Sequence, residues 1–193
     1  MQSVKLAIFL SGAGSNARQI ITHFENHHSV SIGLVLVTRE NSPVIEFCRD
    51  RNVRFIICSN KEADSPQFLL NACFKFNIDF IILAGFLRKI PIDLVRQYPQ
   101  KIINIHPSLL PKFGGLGMYG RRVHQAVLEA NEKITGITIH FVNEAYDKGE
   151  IIEQHSCEIS SCDNVDAIEE KVKGLEHSYY APVIEKLLNV VYG

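Results

Sequence analysis

The sequence predicts an α/β fold in which a mainly parallel, Rossmann-like β-sheet is flanked by helices on both faces. Apolar runs alternate with helix-like segments through the first hundred residues, and a glycine-rich turn follows the first run. Beyond residue 136 the alternation stops, and two strand-like runs precede a terminal helix. At 193 residues the chain suits a single domain over 1–193, since domains usually span roughly 100 to 200 residues.

The first elements follow one another as strand, turn and helix. Residues 4–10 form an apolar run typical of a buried strand, residues 11–16 form a turn, and residues 17–27 form a helix. Repetition of this unit predicts parallel strands with helices on both faces. The later strands and helices of this half are expected at residues 32–37, 43–51, 55–58, 66–77 and 80–84.

A long loop separates the two halves of the sequence. A short helix after Pro91 and a strand over 101–105 lead into a loop over 106–120, and a helix over 121–130 follows. Loops of this length without internal structure are uncommon in compact domains and tend to be functional. We therefore expect this loop to take part in a site.

The C-terminal part is predicted to change strand direction. Residues 137–142 and 151–159 are strand-like, and the segment between them carries no helix pattern, so an antiparallel pair is expected. Apolar residues at helical spacing then predict a terminal helix. Pro182 is expected to break it, with a second helical segment running to Leu188.

Charge and hydropathy exclude several classes of partner. Lys and Arg total 20 against 21 for Asp and Glu, so a broad nucleic-acid footprint, which needs clustered cations, is not expected. The longest apolar runs, such as residues 80–84, are too short to span a bilayer, and residues 1–10 lack the features of a signal peptide. We expect a cytoplasmic protein that acts on small molecules without membrane partners, as a monomer or a homodimer.

Neither the cysteines nor the histidines predict a metal site. The five cysteines are an odd number, and the closest pair, Cys157 and Cys162, lacks the two-residue spacing of zinc and redox motifs. His23, His27 and His28 lie near a polar helix end without acidic or thiol companions, which favours a solvated cluster over a metal site. Reduced thiols and no metal are expected.

The turn Ser11-Gly12-Ala13-Gly14-Ser15-Asn16 is a candidate phosphate cradle. It follows a strand and opens a helix, which directs backbone N–H groups and the positive helix end toward a bound anion. Ala17 replaces the third glycine of the dinucleotide fingerprint, and Thr38-Arg39 stand where an acidic residue would hold a ribose. A nicotinamide cofactor is therefore not expected. A tight turn with a capping Ser or Asn is the alternative.

Three polar residues are candidates for the chemistry. Asn104 and His106 are two residues apart near the end of a strand, so alternation places both on the same side of the chain. An amide donor and an imidazole can bind a developing oxyanion, although a lone histidine at a strand end is more often structural. Asp147 lies in a turn, where aspartate often bonds only its own backbone. Because ligands collect at the carboxyl ends of parallel strands, the loops there should share one crevice.

Several motifs occur together in the order found in one enzyme family. They are Gly12-Ala13-Gly14-Ser15-Asn16, Ala84-Gly85-Phe86-Leu87-Arg88, Asn104 to Pro111, Gly136 to Ile152, and Glu176-His177. Through them nearly the whole chain resembles the formyltetrahydrofolate-dependent formyltransferases, and the glycine turn resembles that of the phosphoribosylglycinamide formyltransferases. The resemblance implies a formyltransferase fold. It also implies transfer of a formyl group from the co-substrate 10-formyltetrahydrofolate to the amine of phosphoribosylglycinamide, in de novo purine biosynthesis.

The resemblance further implies which residues bind each substrate. The N-terminal half would bind phosphoribosylglycinamide, and the C-terminal half would bind folate and carry out catalysis. The implied phosphoribosyl contacts are Gly12, Ala13, Gly14, Ser15, Asn16 and Gly85, with Glu176 at the ribose. From the helix pattern alone, Glu176 would be a solvated surface residue. The implied folate contacts are Leu87, Arg88, Lys89, Ile90, Asn104, Val142, Asn143, Glu144, Ala145, Tyr146 and Asp147.

A catalytic role for the three polar residues follows from the same resemblance. His106, kept protonated by Asp147, and the Asn104 amide would stabilise the tetrahedral oxyanion. Asp147, through a water, would accept the amine proton and help return one to the departing folate nitrogen.

Two segments depart from the commoner family pattern. Residues 112–122 are longer than the usual loop, so the conformation of relatives cannot be transferred to them. Arg121 and Arg122 are there either solvated or in contact with a substrate anion. Ser65-Pro66 occupy the place of a basic phosphate contact in some relatives, and Lys61 is a weak substitute.

Three other functions compete with this one. A methionyl-tRNA formyltransferase is expected to carry a further C-terminal domain and positive charge for tRNA. A formyltetrahydrofolate hydrolase, the nearer alternative, is expected to carry an N-terminal regulatory domain. A non-catalytic nucleotide- or folate-binding regulator would not need the complete set of Asn104, His106 and Asp147, and an activity assay separates it from an enzyme.

We predict that the formyl transfer implied by the resemblance needs no metal, because the expected oxyanion donors are an amide and an imidazole. Activity should survive exhaustive chelation in buffers freed of zinc and magnesium. Loss of turnover on chelation, restored by adding back one metal, would contradict this prediction.

Overall fold

The computed structural model describes residues 3–192, which form two compact units on either side of the boundary between Ile103 and Asn104. The first unit alternates strands and helices as the sequence predicts. Its elements are β1 (Val4–Leu10), α1 (Ser15–Phe24), β2 (Val30–Val37), α2 (Val44–Asp50), β3 (Phe55–Ile57), α3 (Asn60–Ala63), α4 (Pro66–Lys75), β4 (Phe80–Leu83) and α5 (Ile92–Gln97).

The second unit carries the antiparallel strands and the terminal helix. β5 (Ile102–His106) crosses the boundary between the units. It is followed by α6 (Arg121–Glu129), β6 (Ile134–Phe141), β7 (Ile151–Glu158) and α7 (Val165–Tyr192). The hydrogen-bonded strand order is β3-β2-β1-β4-β5-β6-β7. β1 pairs in parallel with β2 and β4, β2 pairs in parallel with β3, and β6 pairs antiparallel with β7. The predicted mainly parallel sheet with a C-terminal antiparallel pair is confirmed.

β1 is the buried centre of the first unit. Residues Leu6 through Leu10 are fully shielded from solvent, including those on opposite faces of the strand. This pattern is typical of parallel strands covered by helices on both sides, which is why β1 reads as a continuous apolar run instead of an alternating one. β1 ends directly at the glycine turn, so the rigid core fixes where that turn begins.

Two details of the helices differ from the sequence-based prediction. α3 was not expected, because four residues are too few to produce a periodic pattern. It forms through a capping box in which the Ser59 hydroxyl accepts from the Glu62 N–H and the Glu62 carboxylate accepts from the Ser59 N–H.

The predicted break of the terminal helix at Pro182 is wrong. α7 continues through the proline to Tyr192. The residues on both sides of Pro182, such as Tyr180 and Ile184, are buried in the core. Their packing holds the two halves of the helix in line, so tertiary burial outweighs the hydrogen bond that proline cannot donate.

We predict that Gly136→Ala destabilises the second unit. Gly136 lies in the antiparallel pair opposite Ser156, and a Cβ there would lie 2.0 Å from the His155 carbonyl oxygen. Because that atom is backbone, the ladder must shift, and we expect the free energy of unfolding to fall by about 1 to 3 kcal/mol.

Gly174→Ala is the matched control, since the space around Gly174 in α7 is open. This change should raise the free energy of unfolding by about 0.5 to 1 kcal/mol, through helix propensity. Urea titrations of both variants measure the difference, and an unchanged Gly136→Ala midpoint would refute the packing argument.

Candidate active site

The glycine loop, residues 11–16, leads directly into the first turn of α1. Gly14 has a left-handed conformation with φ of 78°, and a Cβ there would lie 2.7 Å from Val44 Cβ. The first helical bond of α1 runs from the Arg18 N–H to the Gly14 carbonyl. The cap position is itself a glycine, and the first turn carries no acidic residue. The start of α1 therefore suits an anion.

The loop after β4 is tied to the glycine loop. The Ser11 N–H donates to the Gly85 carbonyl at 2.9 Å, and the Leu87 N–H donates to the Ser11 hydroxyl at 3.1 Å. Gly85 also has a positive φ, of 78°. The structure thus brings Gly85 beside the glycine loop.

The predicted folate residues after Gly85 are divided between surface and core. Leu87 is 54% exposed, whereas Ile90 is buried. The Arg88 guanidinium forms a two-pronged pair with Asp64, with Nε 2.8 Å from Oδ1. Since Asp64 already partners this cation, any contribution of Arg88 to folate binding is expected through its main-chain groups.

Asn104, His106 and Asp147 lie in one polar cluster, together with His140. The Asp147 carboxylate stands between two imidazoles, with Oδ2 at 3.6 Å from His106 Nδ1 and Oδ1 at 3.7 Å from His140 Nε2. Asn104 Nδ2 is 3.2 Å from the same His140 nitrogen. His106 and His140 are almost completely buried. The predicted trio is therefore joined through a fourth residue.

His140 was not selected from the sequence, and its environment keeps it neutral. Burial lowers its pKa, against opposing contributions from the Phe141 carbonyl and the Asp147 charge. Its Nδ1–H donates to the Phe141 carbonyl at 2.9 Å. In the neutral ring Nε2 must then be an acceptor, so it receives one N–H of the Asn104 amide. Within residues 3–192 no second acceptor is found for that amide.

The long loop, residues 107–120, supports the polar cluster through its backbone. His106 Nε2–H donates to the Phe113 carbonyl at 2.8 Å. The Gly115 N–H donates to Asp147 Oδ2 at 2.8 Å. Phe113 has a positive φ of 56°, a conformation that non-glycine residues rarely adopt. These bonds leave Nδ1 as the nitrogen of His106 that faces Asp147 and the site.

Thr138 holds the start of the long loop in place. Its hydroxyl donates to the Ser108 carbonyl at 2.7 Å and accepts from the Leu110 N–H at 2.9 Å. The Gln154 amide donates to the same oxygen at 2.8 Å. Ser108 in turn donates to the Lys112 carbonyl. With one donor and two acceptors all used, the buried Thr138 hydroxyl fixes the backbone that follows His106.

The turn between β6 and β7 presents Asp147. Asn143 spans this turn by accepting from the Ala145 N–H and donating to the Lys148 carbonyl, each at 3.0 Å. Asp147 has a positive φ of 51°, which Asp tolerates better than most residues. The other predicted folate residues of the turn are half-buried or exposed, namely Val142, Asn143, Glu144, Ala145 and Tyr146.

Glu176 differs from the solvated residue that its helix pattern suggests. It is half-buried on α7. Burial and the Glu176 charge together raise the pKa of the fully buried Tyr180. Arg121, the other open question from the sequence, pairs with Asp166 and Glu169 at the start of α7.

Residues 3–192 hold neither a candidate metal cluster nor a helix that could span a membrane. No cluster of three or more His, Cys, Asp or Glu side chains in this range could hold a metal ion. None of the helices in the same range is both long enough and apolar enough to cross a membrane.

Comparison with known proteins gives consistent matches along the chain. Residues 4–184 match the family model described as formyl transferase. The chain is 37% identical over 192 residues to the chloroplastic phosphoribosylglycinamide formyltransferase of Arabidopsis thaliana, covering 93% of this chain and 64% of that one. It is 35% identical to the phosphoribosylglycinamide formyltransferase of Bacillus subtilis, covering 96% and 95% of the two chains.

The solved structures that resemble this chain include enzymes of the same name. The phosphoribosylglycinamide formyltransferase of Bacillus halodurans superposes with a TM-score of 0.86 at 32% identity, covering 95% of each chain. Glycinamide ribonucleotide transformylase 1 of Geobacillus kaustophilus gives 0.87 at 32% identity, with 97% and 100% covered. The chain spans less than two thirds of the two plant relatives, 64% and 60% of their lengths. On the extent of these matches, the chain belongs to the formyl transferase family.

Proposed function

We propose that this protein transfers the formyl group of 10-formyltetrahydrofolate to the amine of phosphoribosylglycinamide, giving formylglycinamide ribonucleotide and tetrahydrofolate in de novo purine biosynthesis. One observation carries the proposal, which is the placement of the Asp147 carboxylate between two imidazoles with the Asn104 amide on the second. This set supplies an oxyanion donor and a proton acceptor in one cluster. The relatives that bear this enzyme's name support the choice of substrates.

The proposed substrate contacts fall into two groups of residues, one for the phosphoribosyl substrate and one for the folate. The glycine loop and Gly85 would hold the phosphoribosyl part, since N–H groups at the start of α1 and the positive helix end favour a phosphate. Glu176 would accept from ribose hydroxyls. The segment 87–90, Asn104 and the turn 142–147 would line the folate site.

The reaction develops charge on two atoms, and both charges must be stabilised or neutralised. Attack of the amine on the formyl carbon forms a C–N bond and produces an oxyanion and a cationic nitrogen. The second N–H of the Asn104 amide and the His106 imidazole would stabilise the oxyanion. Asp147, through a water, would take the proton from the new C–N nitrogen. Collapse of the oxyanion breaks the bond to the folate nitrogen, which leaves with the proton that Asp147 returns through the water, and no covalent enzyme intermediate forms.

The proposal extends to the setting in which the enzyme works. We propose that residues 1–193 act as one formyltransferase domain in the cytoplasm, as a monomer or a homodimer. The odd number of cysteines and their spacing suit a reducing compartment. The balanced charge suits small-molecule substrates better than nucleic acid.

A substrate-omission assay tests the reaction. The protein is mixed with 10-formyltetrahydrofolate and phosphoribosylglycinamide, and release of tetrahydrofolate is followed with each substrate omitted in turn. We expect release only when both are present. Release without the amine would identify a hydrolase, and no release in any mixture would identify a non-catalytic binding protein.

We predict that Asp147→Asn keeps substrate binding but lowers turnover on the order of a hundredfold or more, the scale usual for lost general acid–base catalysis. The change retains the shape of the side chain and removes its charge and basicity. His106→Ala should lower turnover similarly. Because the two residues act as a unit, the double variant should lose much less than the product of the single losses.

The four proteins are compared by turnover and by both Michaelis constants. Asp50→Asn, the same change on the exposed last residue of α2, is the matched control and should keep nearly full turnover. Near-normal turnover in Asp147→Asn, or independent losses in the cycle, would refute the coupled mechanism even if formyl transfer itself were established.

A further inference from the structure

We infer that Ser42 is a positioning residue that aims the Ala13 N–H into the phosphate site. The inference rests on the proposed function, because it concerns how the glycine loop binds the phosphoribosyl substrate. Ser42 precedes α2 and lies outside every motif that the sequence analysis selects. Its side chain contacts the backbone of the glycine loop at the Gly12 carbonyl.

The key contact is a single hydrogen bond. The Ser42 hydroxyl donates to the Gly12 carbonyl at 2.8 Å, and Ser42 is only 4% exposed. The peptide joining Gly12 to Ala13 is trans, and in a trans peptide the N–H points opposite to the carbonyl. With the carbonyl held inward by Ser42, the Ala13 N–H must point away from α2. Ala13 lies on the exposed side of the loop, and within residues 3–192 its N–H has no acceptor.

Other parts of the glycine loop are fixed by different contacts. Ser11 is held by Gly85 and Leu87. Gly14 packs against Val44 so closely that a Cβ would collide with it. Around Gly12, by contrast, a Cβ would meet nothing within 4 Å. Glycine also rotates more freely than other residues, so the bond from Ser42 is the contact that sets the orientation of this peptide.

Ser42 is itself held firmly enough to act in this way. Its N–H donates to the Arg39 carbonyl at 3.1 Å, and its carbonyl accepts from the Ile45 N–H at 3.0 Å. These bonds place it in the turn that begins α2, two residues before Val44. One rigid segment therefore orients Gly12 by a hydrogen bond and Gly14 by packing.

Loss of the hydroxyl should weaken phosphate binding specifically. Without Ser42 Oγ the Gly12 carbonyl can rotate outward, which replaces a donor by an acceptor at the anion site. We expect Ser42→Ala to raise the Michaelis constant for phosphoribosylglycinamide about three- to tenfold, the scale of one ordinary hydrogen bond. Turnover and the Michaelis constant for the folate should stay within twofold, because neither depends on this peptide.

Two variants separate positioning from packing. Ser42→Thr retains the hydroxyl and should restore the Michaelis constant. Cys48→Ala removes a similar volume from the buried face of α2 without touching the glycine loop, and it should leave the constant unchanged. If Ser42→Thr is too crowded to fold, the comparison of Ser42→Ala with Cys48→Ala decides alone.

Ribose 5-phosphate binding, measured by calorimetry, keeps this test independent of catalysis. Its dissociation constant should rise by the same factor in Ser42→Ala and not in Cys48→Ala. An unaltered constant in Ser42→Ala, or equal changes in both variants, would overturn the role of Ser42. If the unmodified protein bound ribose 5-phosphate but turned nothing over, the proposed reaction would fail while the inference about Ser42 could still be judged.

Discussion

The structure of the second unit depends on how its polar groups stabilise one nearly buried carboxylate. The Asp147 side chain is 11% exposed, and a carboxylate removed from water is costly unless donors surround it. The Gly115 N–H supplies one donor, and Nδ1 of His106 faces the same carboxylate oxygen. The long loop and β5 therefore converge on this group, and the neutral His140 of β6 covers its other side.

Both units orient backbone groups with buried hydroxyls. In the second unit Thr138 and Ser108 fix the carbonyls and N–H groups that follow His106. In the first unit Ser42 fixes the Gly12 carbonyl, and Ser11 ties the glycine loop to the loop after β4. A hydroxyl is suited to this task because it satisfies a buried backbone group while using little space. The groups aimed in this way cannot relax when charge develops, which is what electrostatic stabilisation requires.

The sequence predicted the features that follow from periodicity and failed on those that follow from tertiary contact. β1 and the glycine turn are evident because a buried parallel strand is a continuous apolar run and the turn needs small residues. Asn104 and His106 fall on one side by simple alternation. α3 is too short to be periodic, and Pro182 is tolerated only because the core holds both halves of α7.

Sequence patterns also fail to predict several contacts inside the candidate site, because these contacts depend on three-dimensional geometry. A serine before a helix is an ordinary capping candidate, so nothing in the sequence distinguishes Ser42 until its hydroxyl is found on the Gly12 carbonyl. The conformation of the long loop depends on a positive φ at Phe113, which is not a residue that favours it. Glu176 has the helix position of a surface residue, and only the packing of α7 makes it half-buried.

The two imidazoles beside Asp147 have different tasks because they have different second partners. The Nδ1–H of His140 donates to the Phe141 carbonyl. Burial lowers the pKa of this ring, so it stays neutral and its Nε2 accepts from the Asn104 amide. His106 is then the ring that faces the negative charge of Asp147. Its Nδ1 lies toward the carboxylate, and its Nε2–H donates to the Phe113 carbonyl. One histidine orients the Asn104 amide, and the other stands beside the carboxylate.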